Sequence, residues 1–422
     1  MTDLTPRKKY WLYKYRKLIV ASLVIGFLAA LLAETLKRIT DHYEELLFEK
    51  ASHNNLYFIV FPAFGLSLIY VLRLYLFRNK QNKGIKEVFE SVAKNKALPT
   101  YKITSHFING LITVIFGGST GIEVSTVVST AAMGSLAQEK EKIFRKHKTE
   151  LVCAGVAAGI TALFSSPIAG MLFAYEVISK KVDRLFLLTT GLAAAIAYAF
   201  ILVLDDKPLF AINITKWHLY AIPYFILLGV LCGLNSIYLT RCVFFFKDQF
   251  SKLTNYAYKI IVGAAAISLM IFIFPQLYGD GYHAIKDSII DAGNLNFTLQ
   301  HILVIAGILV LKPVITSITL SAGGDGGVFA PSLFIGGFLG LLLAAILNTY
   351  FDAGVIPLNF MVIGMAAMLS ASIHAPFTAL FLICGLINDY TLFLPVLVVC
   401  LVAKYTAKAI YPYTVYSLAV KK

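Results

Sequence analysis

Apolar runs of about the length of a membrane-crossing helix recur along the whole of this chain. They lie at 17–36, 55–77, 184–204, 217–239, 259–274, 297–319 and 359–380. A helix needs about 20 apolar residues to cross the hydrocarbon core of a bilayer. Of the 422 residues, 58% are hydrophobic and only 14% are charged, against about 25% charged residues in soluble domains. The sequence therefore predicts an all-α polytopic membrane protein whose helices pack in one lipid-embedded unit.

Positive charge is concentrated in four short segments before or between the apolar runs. Lysine and arginine number 37 against 23 acidic residues, which gives a net charge of +14. The excess lies in RKKYWLYKYRK, RNKQNKGIK, RKHK and SKKVDR, at 7–17, 78–86, 145–148 and 179–184. Cytoplasmic loops carry such an excess, so we expect the N-terminus and these loops to face the cytosol. Membrane topology and contact with anionic lipid explain the charge better than nucleic acid binding does.

The chain has no pattern typical of a metal or cofactor site. Its five cysteines, Cys153, Cys232, Cys242, Cys384 and Cys400, lie in apolar surroundings without C-x-x-C spacing. The eight histidines show no H-E-x-x-H spacing, and GGDGG lacks the strand and lysine of a phosphate loop. We interpret the cysteines as small buried hydrophobic residues and expect neither a metal nor a cofactor.

Two separate matches at nearly the same offset indicate an internal duplication. GGSTGIEVST at 117–126 aligns with GGDGGVFAPS at 323–332, an offset of 206 residues. GVAAGITALFSSPIAGMLF at 155–173 aligns with GMAAMLSASIHAPFTALFL at 364–382, an offset of 209 residues. Such duplication is typical of transporter folds, in which interrupted segments of both halves build the binding site. We predict a single transmembrane domain over 1–422, with halves of about 50–205 and 215–416, in either an inverted or a parallel arrangement.

Several apolar stretches are too short and too interrupted to cross a membrane. Examples are FINGLITVIFGG, SPIAGMLFAYEVI and APFTALFLICGLI. Irregular backbone at membrane depth is tolerated only where protein buries it or where it lines a cavity. We therefore expect half-helices that meet inside the bundle.

The two glycine-rich breaks are the candidate sites of function. A helix that begins inside the membrane points unpaired N–H groups and the positive end of its dipole at whatever lies ahead of it, which makes an anion site. Pro331 suits such a first turn because its missing N–H would be unpaired anyway, and Ser125 occupies the equivalent place in the first half. Glu123 lies at the first of these starts, where its carboxylate can take the place of an anion and be released by protonation. The alternative is a helix-capping glutamate exposed at an interface.

These segments resemble the motifs of the CLC family of chloride channels and chloride/proton antiporters. GGSTGIEVST is similar to the family's G-x-E-G-P motif, and GGDGGVFAPSLFIGG to its G-x-F-x-P motif. The two Gly/Ala-rich helices of the second match and the terminal YTVYSLAV complete the resemblance, which covers about 84–416. It implies a homodimer with one anion pathway in each subunit, built from about 18 helices, including half-helices, in an inverted repeat.

The resemblance also implies roles for particular residues. Glu123 takes the place of the gating glutamate, and the Tyr416 hydroxyl that of a central anion ligand. The amides of Val328 and Phe329 take the place of the central anion donors. The amides of Ile122, Glu123 and Val124 would form the outer site once the Glu123 side chain moves away. Without the resemblance, Phe329 would be interpreted as a core residue and Tyr416 as an interfacial one.

The inner mouth departs from the family pattern. The expected G-S-G-I-P motif is replaced by Asn82, Lys83 and Gly84 followed by isoleucine and lysine, so Lys83 stands where the serine is expected. Lys83 either attracts anions at the mouth or turns into water, since a buried ammonium without a partner is unfavourable. Asn82 is a nearby donor that could partly replace the serine.

A second departure concerns proton coupling. Val177 aligns with the inner glutamate of the exchangers, and valine cannot carry a proton. Its neighbour Glu176 more often serves structure in the family, through hydrogen bonds at a helix end. The sequence therefore favours a passive chloride channel gated by Glu123, with a chloride/proton antiporter as the alternative.

Other functions have less support in the sequence. The replaced serine leaves fluoride and nitrate open as transported ions. An intramembrane enzyme would need Glu123 together with His106 or His374 as acid and base, but no nucleophile accompanies them, and we expect no enzyme; a purely structural membrane protein is a further alternative. The chain ends six residues beyond Tyr416 without a cytoplasmic regulatory domain, which indicates either a minimal prokaryotic form in the inner membrane or a trimmed C-terminus.

Overall fold

The protein is built from helices throughout the part of the chain that the structure describes. The computed structural model describes residues 6–80, 82–94, 96–137, 142–204, 208–210, 212, 214–291 and 298–416. The helices are α1 Pro6–His53, α2 Leu56–Tyr75, α3 Lys86–Ala93, α4 Tyr101–Ile115, α5 Glu123–Leu136, α6 Lys142–Lys146, α7 Lys148–Phe164, α8 Pro167–Phe173, α9 Arg184–Val203, α10 Ile222–Lys252, α11 Tyr256–Ile273, α12 Tyr282–Asp291, α13 Leu299–Ala322, α14 Phe329–Phe351, α15 Pro357–Ile373, α16 Pro376–Ile387 and α17 Phe393–Ile410. Short helical turns are a π-helix at Ala174–Ser179 and 3-10 turns at Leu219–Ala221 and Pro275–Leu277.

Eight helices of the described chain are long and apolar enough to cross a membrane, which confirms a multi-pass membrane protein. The spans lie in α1, α2, α9, α10, α11, α13, α14 and α17. One predicted run was wrong: 359–380 is not a single helix, because α15 ends at Ile373 and His374 adopts a left-handed backbone, with φ of 57°. Pro376 then begins α16, since proline cannot continue the preceding helix. The span of α14 was not among the predicted runs.

The duplication is visible in matching helix ends. Helices α7 and α15 both have 17 residues, and their ends differ by the offset of 209 that the sequence predicts. Each ends before a left-handed residue, Ser165 with φ of 51° and His374 with φ of 57°. Each is followed by a short helix that begins at a proline, Pro167 or Pro376. The predicted half-helices are therefore present in both halves.

The two glycine-rich breaks pair with each other about an approximate twofold axis. Gly121 and Gly327, equivalent at the offset of 206, form an isolated antiparallel bridge, with N–H to O distances of 3.2 Å in both directions. The amide of Asp325 donates to Oγ1 of Thr113 at 2.9 Å. The amide of Ser119 donates to Oγ1 of Thr319 at 3.2 Å, which is the same bond with the halves exchanged. The two halves are therefore related by an approximate twofold axis that passes between the two breaks.

Glycine allows the helices behind these breaks to approach at backbone distance. A Cβ built on Gly364 of α15 would lie 2.1 Å from the carbonyl oxygen of Gly336 in α14. In the first half, a Cβ on the equivalent Gly155 of α7 would lie 2.2 Å from the carbonyl oxygen of Thr130 in α5. Small residues at crossing points are typical of packed membrane helices. These contacts fix α5 against α7 and α14 against α15. They therefore also fix the positions at which α5 and α14 begin.

Candidate functional site

Helices α5 and α14 begin beside each other without a side-chain cap at either start. Their N-cap residues are Ile122 and Val328, and neither side chain accepts a hydrogen bond from the first turn. The first intrahelical acceptors are the carbonyls of these two residues, bonded by the amides of Thr126 at 2.8 Å and Ser332 at 2.9 Å. The amides before those two donors have no partner within their own helices. Two helix starts therefore present donors and positive dipole ends to the same buried region.

The Glu123 side chain lies in that region. It is 2% exposed, and its Oε1 accepts a hydrogen bond of 2.6 Å from the hydroxyl of Tyr282. The amides of Glu123 itself and of Ala330 face the carboxylate, whereas Oε2 has no hydrogen bond of normal geometry within the described chain. The exposed-interface alternative for Glu123 is therefore wrong. Its carboxylate lies between the two helix starts, where a small anion would find the same donors.

The central residues of the predicted site lie next to these starts. Val328 and Phe329 are each 1% exposed, and the Phe329 ring stacks on that of Phe164 with centroids 5.4 Å apart. The Phe329 side chain is thus a core residue, while its backbone heads α14. The hydroxyl of Tyr416 is buried and has no hydrogen-bond partner in the described chain. A Cβ on Gly327 would lie 3.6 Å from that hydroxyl oxygen, so Tyr416 borders the glycine break.

A cavity lined by basic residues leads to the region where α5 and α14 begin. Its volume is about 490 Å³, and it extends from the segment at 82–86 to Val124, Val328 and Tyr416. Five cationic residues line it: Arg73, Lys83, Lys86, Lys247 and Lys259. Such a concentration of one sign raises the local concentration of small anions.

The residues of the predicted inner mouth all line this cavity, but their side chains differ in role. The Lys83 side chain is exposed, and its amide donates to Oε1 of Glu87 at 2.7 Å. The Lys83 side chain is thus exposed to water and also lines the cavity, so attraction of anions by Lys83 stays a prediction. Gly84 has a φ of 62° and lies against Val124, which a Cβ on Gly84 would meet at 3.7 Å.

Asn82 is tied into a buried polar network. Its Nδ2 donates to the carboxylate of Asp325, and its Oδ1 accepts from Nζ of Lys102 and Oγ of Ser105, both at 3.1 Å. On the other oxygen of Asp325, Nδ1 of His106 approaches to 3.1 Å. The amide nitrogen of Asn82 therefore donates within the protein, and a role of Asn82 in place of the serine stays a prediction.

Glu176 and Val177 lie in the π-helix that follows α8. Oε2 of Glu176 accepts from both the amide and the hydroxyl of Thr378, at 2.8 and 2.7 Å. Glu176 therefore binds the first turn of α16, which confirms its predicted structural role. Val177 is buried.

The two histidines of the enzyme alternative are used elsewhere. His106 faces Asp325, and His374 terminates α15. Neither forms a hydrogen bond with Glu123 in the described part of the chain.

Sequence reasoning missed three residues of the site. Ala330 follows Phe329 directly, and its amide could have been inferred from the helix start. Tyr282 lies 159 residues from Glu123 along the chain, and no local pattern points to it. Asp325 stands in the aligned break GGDGG, where an acid between glycines was the available signal.

The chain combines two uncapped helix starts around one buried carboxylate with a basic cavity beside them, which are the features expected of a membrane protein that binds small anions. The chain belongs to the voltage-gated chloride channel family, whose model matches residues 64–408. The CLC resemblance is therefore confirmed.

Relatives and solved structures agree with this assignment. The voltage-gated ClC-type chloride channel ClcB of Escherichia coli is 27% identical over 312 residues, which cover 72% of each chain. The ClcB protein of Shigella flexneri is 26% identical over 311 residues, again 72% of each chain. A slow cyanobacterial Cl⁻/H⁺ antiporter matches with a TM-score of 0.82 at 21% identity, over 96% of this chain and 97% of its own. A CLC-type fluoride/proton antiporter matches with a TM-score of 0.79 at 23% identity, over 96% and 98%. The two structures share the fold with this chain.

Proposed function

We propose that this protein conducts chloride passively across the cell membrane, with one pathway in each subunit of a homodimer and with Glu123 as the gate. One observation carries the proposal. The Glu123 carboxylate lies between two helix starts that lack side-chain caps, and a chloride ion would be bound by the same donors. Protonation removes the charge that holds the side chain there, and a chloride ion then competes for the site.

The rest of the pathway follows from the residues around that site. Chloride enters the basic cavity, reaches Val328 and the Tyr416 hydroxyl at its inner end, and passes on to the donors that face Glu123. Residues 82–86, at the end of a basic sequence segment, line the cavity, which supports a cytoplasmic opening. A cytoplasmic N-terminus remains a prediction from charge.

The inner side supports conduction without proton coupling. Val177 stands where the resemblance puts the proton-carrying glutamate of exchangers, and Glu176 is bound to the start of α16. The antiporter alternative has one observation in its favour, since the imidazole of His106 faces the buried carboxylate of Asp325, which lines the cavity. The choice between the two is therefore a question of whether protons move with chloride.

A flux assay in liposomes distinguishes these functions. The purified protein is reconstituted in chloride-loaded vesicles, efflux is started with a potassium ionophore, and external chloride and external pH are recorded together. We expect chloride efflux without stoichiometric proton uptake, and no uphill chloride movement when only a pH gradient is imposed. Proton uptake in fixed ratio to chloride would establish the antiporter instead. Replacing internal chloride with fluoride or nitrate tests the two other ions, and the absence of any anion flux would refute anion transport.

The Tyr416 hydroxyl provides a separate test of the central site. Because it has no protein partner in the described chain, Tyr416→Phe should leave thermal stability in chloride-free buffer unchanged. Loss of one hydrogen bond to an ion should weaken chloride binding about tenfold, as measured by isothermal titration calorimetry. Tyr413→Phe, three residues earlier, serves as the control with the same chemical change. Equal chloride affinity in wild type and Tyr416→Phe would remove Tyr416 from the site.

A further inference from the structure

The hydroxyl of Tyr282 donates a hydrogen bond directly to Glu123, the proposed gate. The conduction pathway proposed above does not use this bond. The Tyr282 hydroxyl donates to Oε1 of Glu123 at 2.6 Å, and both side chains are buried. The bond connects the first residue of α5 to the first residue of α12. A hydrogen bond to a carboxylate favours its charged form, and a buried bond to a charged group is stronger than one between neutral groups.

The turn at 278–282 fixes the position of the tyrosine. Gly279 and Gly281 have φ angles of 56° and 90°, which glycine adopts without strain. Oδ1 of Asp280 accepts from the amide of Tyr282 at 2.8 Å, and the amide of Asp280 donates to Oε1 of Glu44 in α1 at 3.1 Å. The Tyr282 ring packs edge-on against that of Phe210, with centroids 5.7 Å apart.

A buried cation holds the same turn from its other side. Lys312 of α13 is fully buried, and its Nζ donates to the carbonyls of Leu277 at 3.4 Å and Gly279 at 3.3 Å. A Cβ on Gly281 would lie 3.0 Å from that Nζ. Burial of an ammonium inside an apolar bundle is unfavourable in free energy. The carbonyl acceptors of the turn offset part of that cost.

Other titratable groups lie near Tyr282 and Glu123 or contact the turn that carries Tyr282. Asp41 and Glu44 belong to α1, Asp280 to the turn, Lys312 to α13 and Tyr416 to the C-terminal segment. Among the hydrogen bonds of the described chain, only that of Tyr282 reaches the Glu123 carboxylate from a side chain. The surrounding charges set the background for the gate, and the tyrosine contacts it.

We propose that Tyr282 is a positioning residue that holds the Glu123 carboxylate at the two helix starts and sets the pH at which the gate opens. The proposal rests on the proposed function. The Glu44, Asp280 and Lys312 contacts keep the 278–282 turn in place. The Tyr282 hydroxyl is therefore already positioned to donate to the Glu123 carboxylate. When Glu123 takes up a proton, the bond loses its charged acceptor and weakens, and the side chain leaves the donors to chloride.

Tyr282→Phe tests this directly, because phenylalanine keeps the ring packing and removes only the donor. Loss of a bond that favours the charged form makes Glu123 easier to protonate. The pH of half-maximal chloride flux should therefore move upward by about 1 to 2 pH units. Tyr278→Phe is the matched control: its hydroxyl lies in the same turn but donates to the carbonyl of Ile115 at 2.7 Å. We expect the control to keep the wild-type pH profile.

A second substitution makes the test independent of folding problems in the first. Incorporation of 3,5-difluorotyrosine at position 282 keeps the hydroxyl and makes it a stronger donor, so the midpoint should move downward, in the direction opposite to Tyr282→Phe. An unchanged pH midpoint of chloride flux in either variant, or shifts in the same direction in both, would refute the positioning role of Tyr282.

Glu123→Gln separates failure of this proposal from failure of the proposed function. In that background, Tyr282→Phe should have no further effect on the pH profile, because the titrating carboxyl is gone. A wild-type protein that conducts no anion refutes the function itself. A wild-type protein with pH-dependent flux whose midpoint is unmoved by Tyr282→Phe refutes only the role of Tyr282.

Discussion

Chloride flux through Glu123→Gln is expected to be nearly constant between mildly acidic and neutral pH. Above the midpoint of a single carboxyl, the protonated fraction falls about tenfold for each pH unit, so a gate that opens on protonation gives a steep profile in the wild type. Glutamine has about the shape of the protonated acid and, like it, carries no charge. In the variant, no carboxylate competes with chloride for the donors at the two helix starts. The variant should conduct at neutral pH at least as well as the wild type does in acid, when measured as chloride efflux from liposomes across a pH series.

Glu34→Gln is a suitable control for that experiment. Glu34 is also buried, but it lies in α1 and forms an ion pair with Arg38 of the same helix. Its substitution should leave the pH profile unchanged. If Glu123→Gln kept the wild-type profile, another group would be the proton acceptor, and the buried His106–Asp325 pair would be the first to examine by substitution.

The glycine-rich breaks could be predicted because their chemistry is local in the sequence. The match at an offset of 206 residues places Gly121 opposite Gly327, and the structure pairs these two residues. The helix starts at Glu123 and Phe329 follow from glycine on one side and an apolar run on the other. Backbone donors at a helix start depend on where the helix begins, which a short motif can specify.

The residues that hold the gate could not be predicted because their contacts join distant parts of the chain. Tyr282 reaches Glu123 across 159 residues, and Asp280 reaches Glu44 across 236. Only Lys312 carried a signal of its own, as a single cation inside the apolar run at 297–319, where charge is expensive. Hydropathy predicts one helix over 359–380 because its average includes the left-handed His374 and does not detect the break there.

The second half of the site depends on a helix crossing that tolerates no side chain. At Gly364, a Cβ would lie 2.1 Å from the carbonyl oxygen of Gly336, and at Gly340 one would lie 2.0 Å from that of Phe360. A flexible side chain could move aside, but a helical carbonyl can move only if the whole helix moves. Separation of α14 from α15 would displace Val328 and the donors that follow it, so the crossing controls the site as well as stability.

Gly364→Ala is therefore expected to prevent recovery of monodisperse protein, with a cost above the usual range of about 1 to 3 kcal/mol for overpacking because the atom it meets is backbone. Gly155→Ala, its equivalent in the first half, should behave in the same way, since its Cβ would lie 2.2 Å from the carbonyl of Thr130. Gly191→Ala in α9 is the matched control, with Met171 at 3.6 Å as the nearest atom. It should retain or raise stability by up to about 1 kcal/mol, because alanine favours a helix over glycine. Size-exclusion profiles and thermal unfolding in detergent measure the stability of all three variants. A well-folded Gly364→Ala protein that conducts like the wild type would show that α14 and α15 can separate without moving the start of α14.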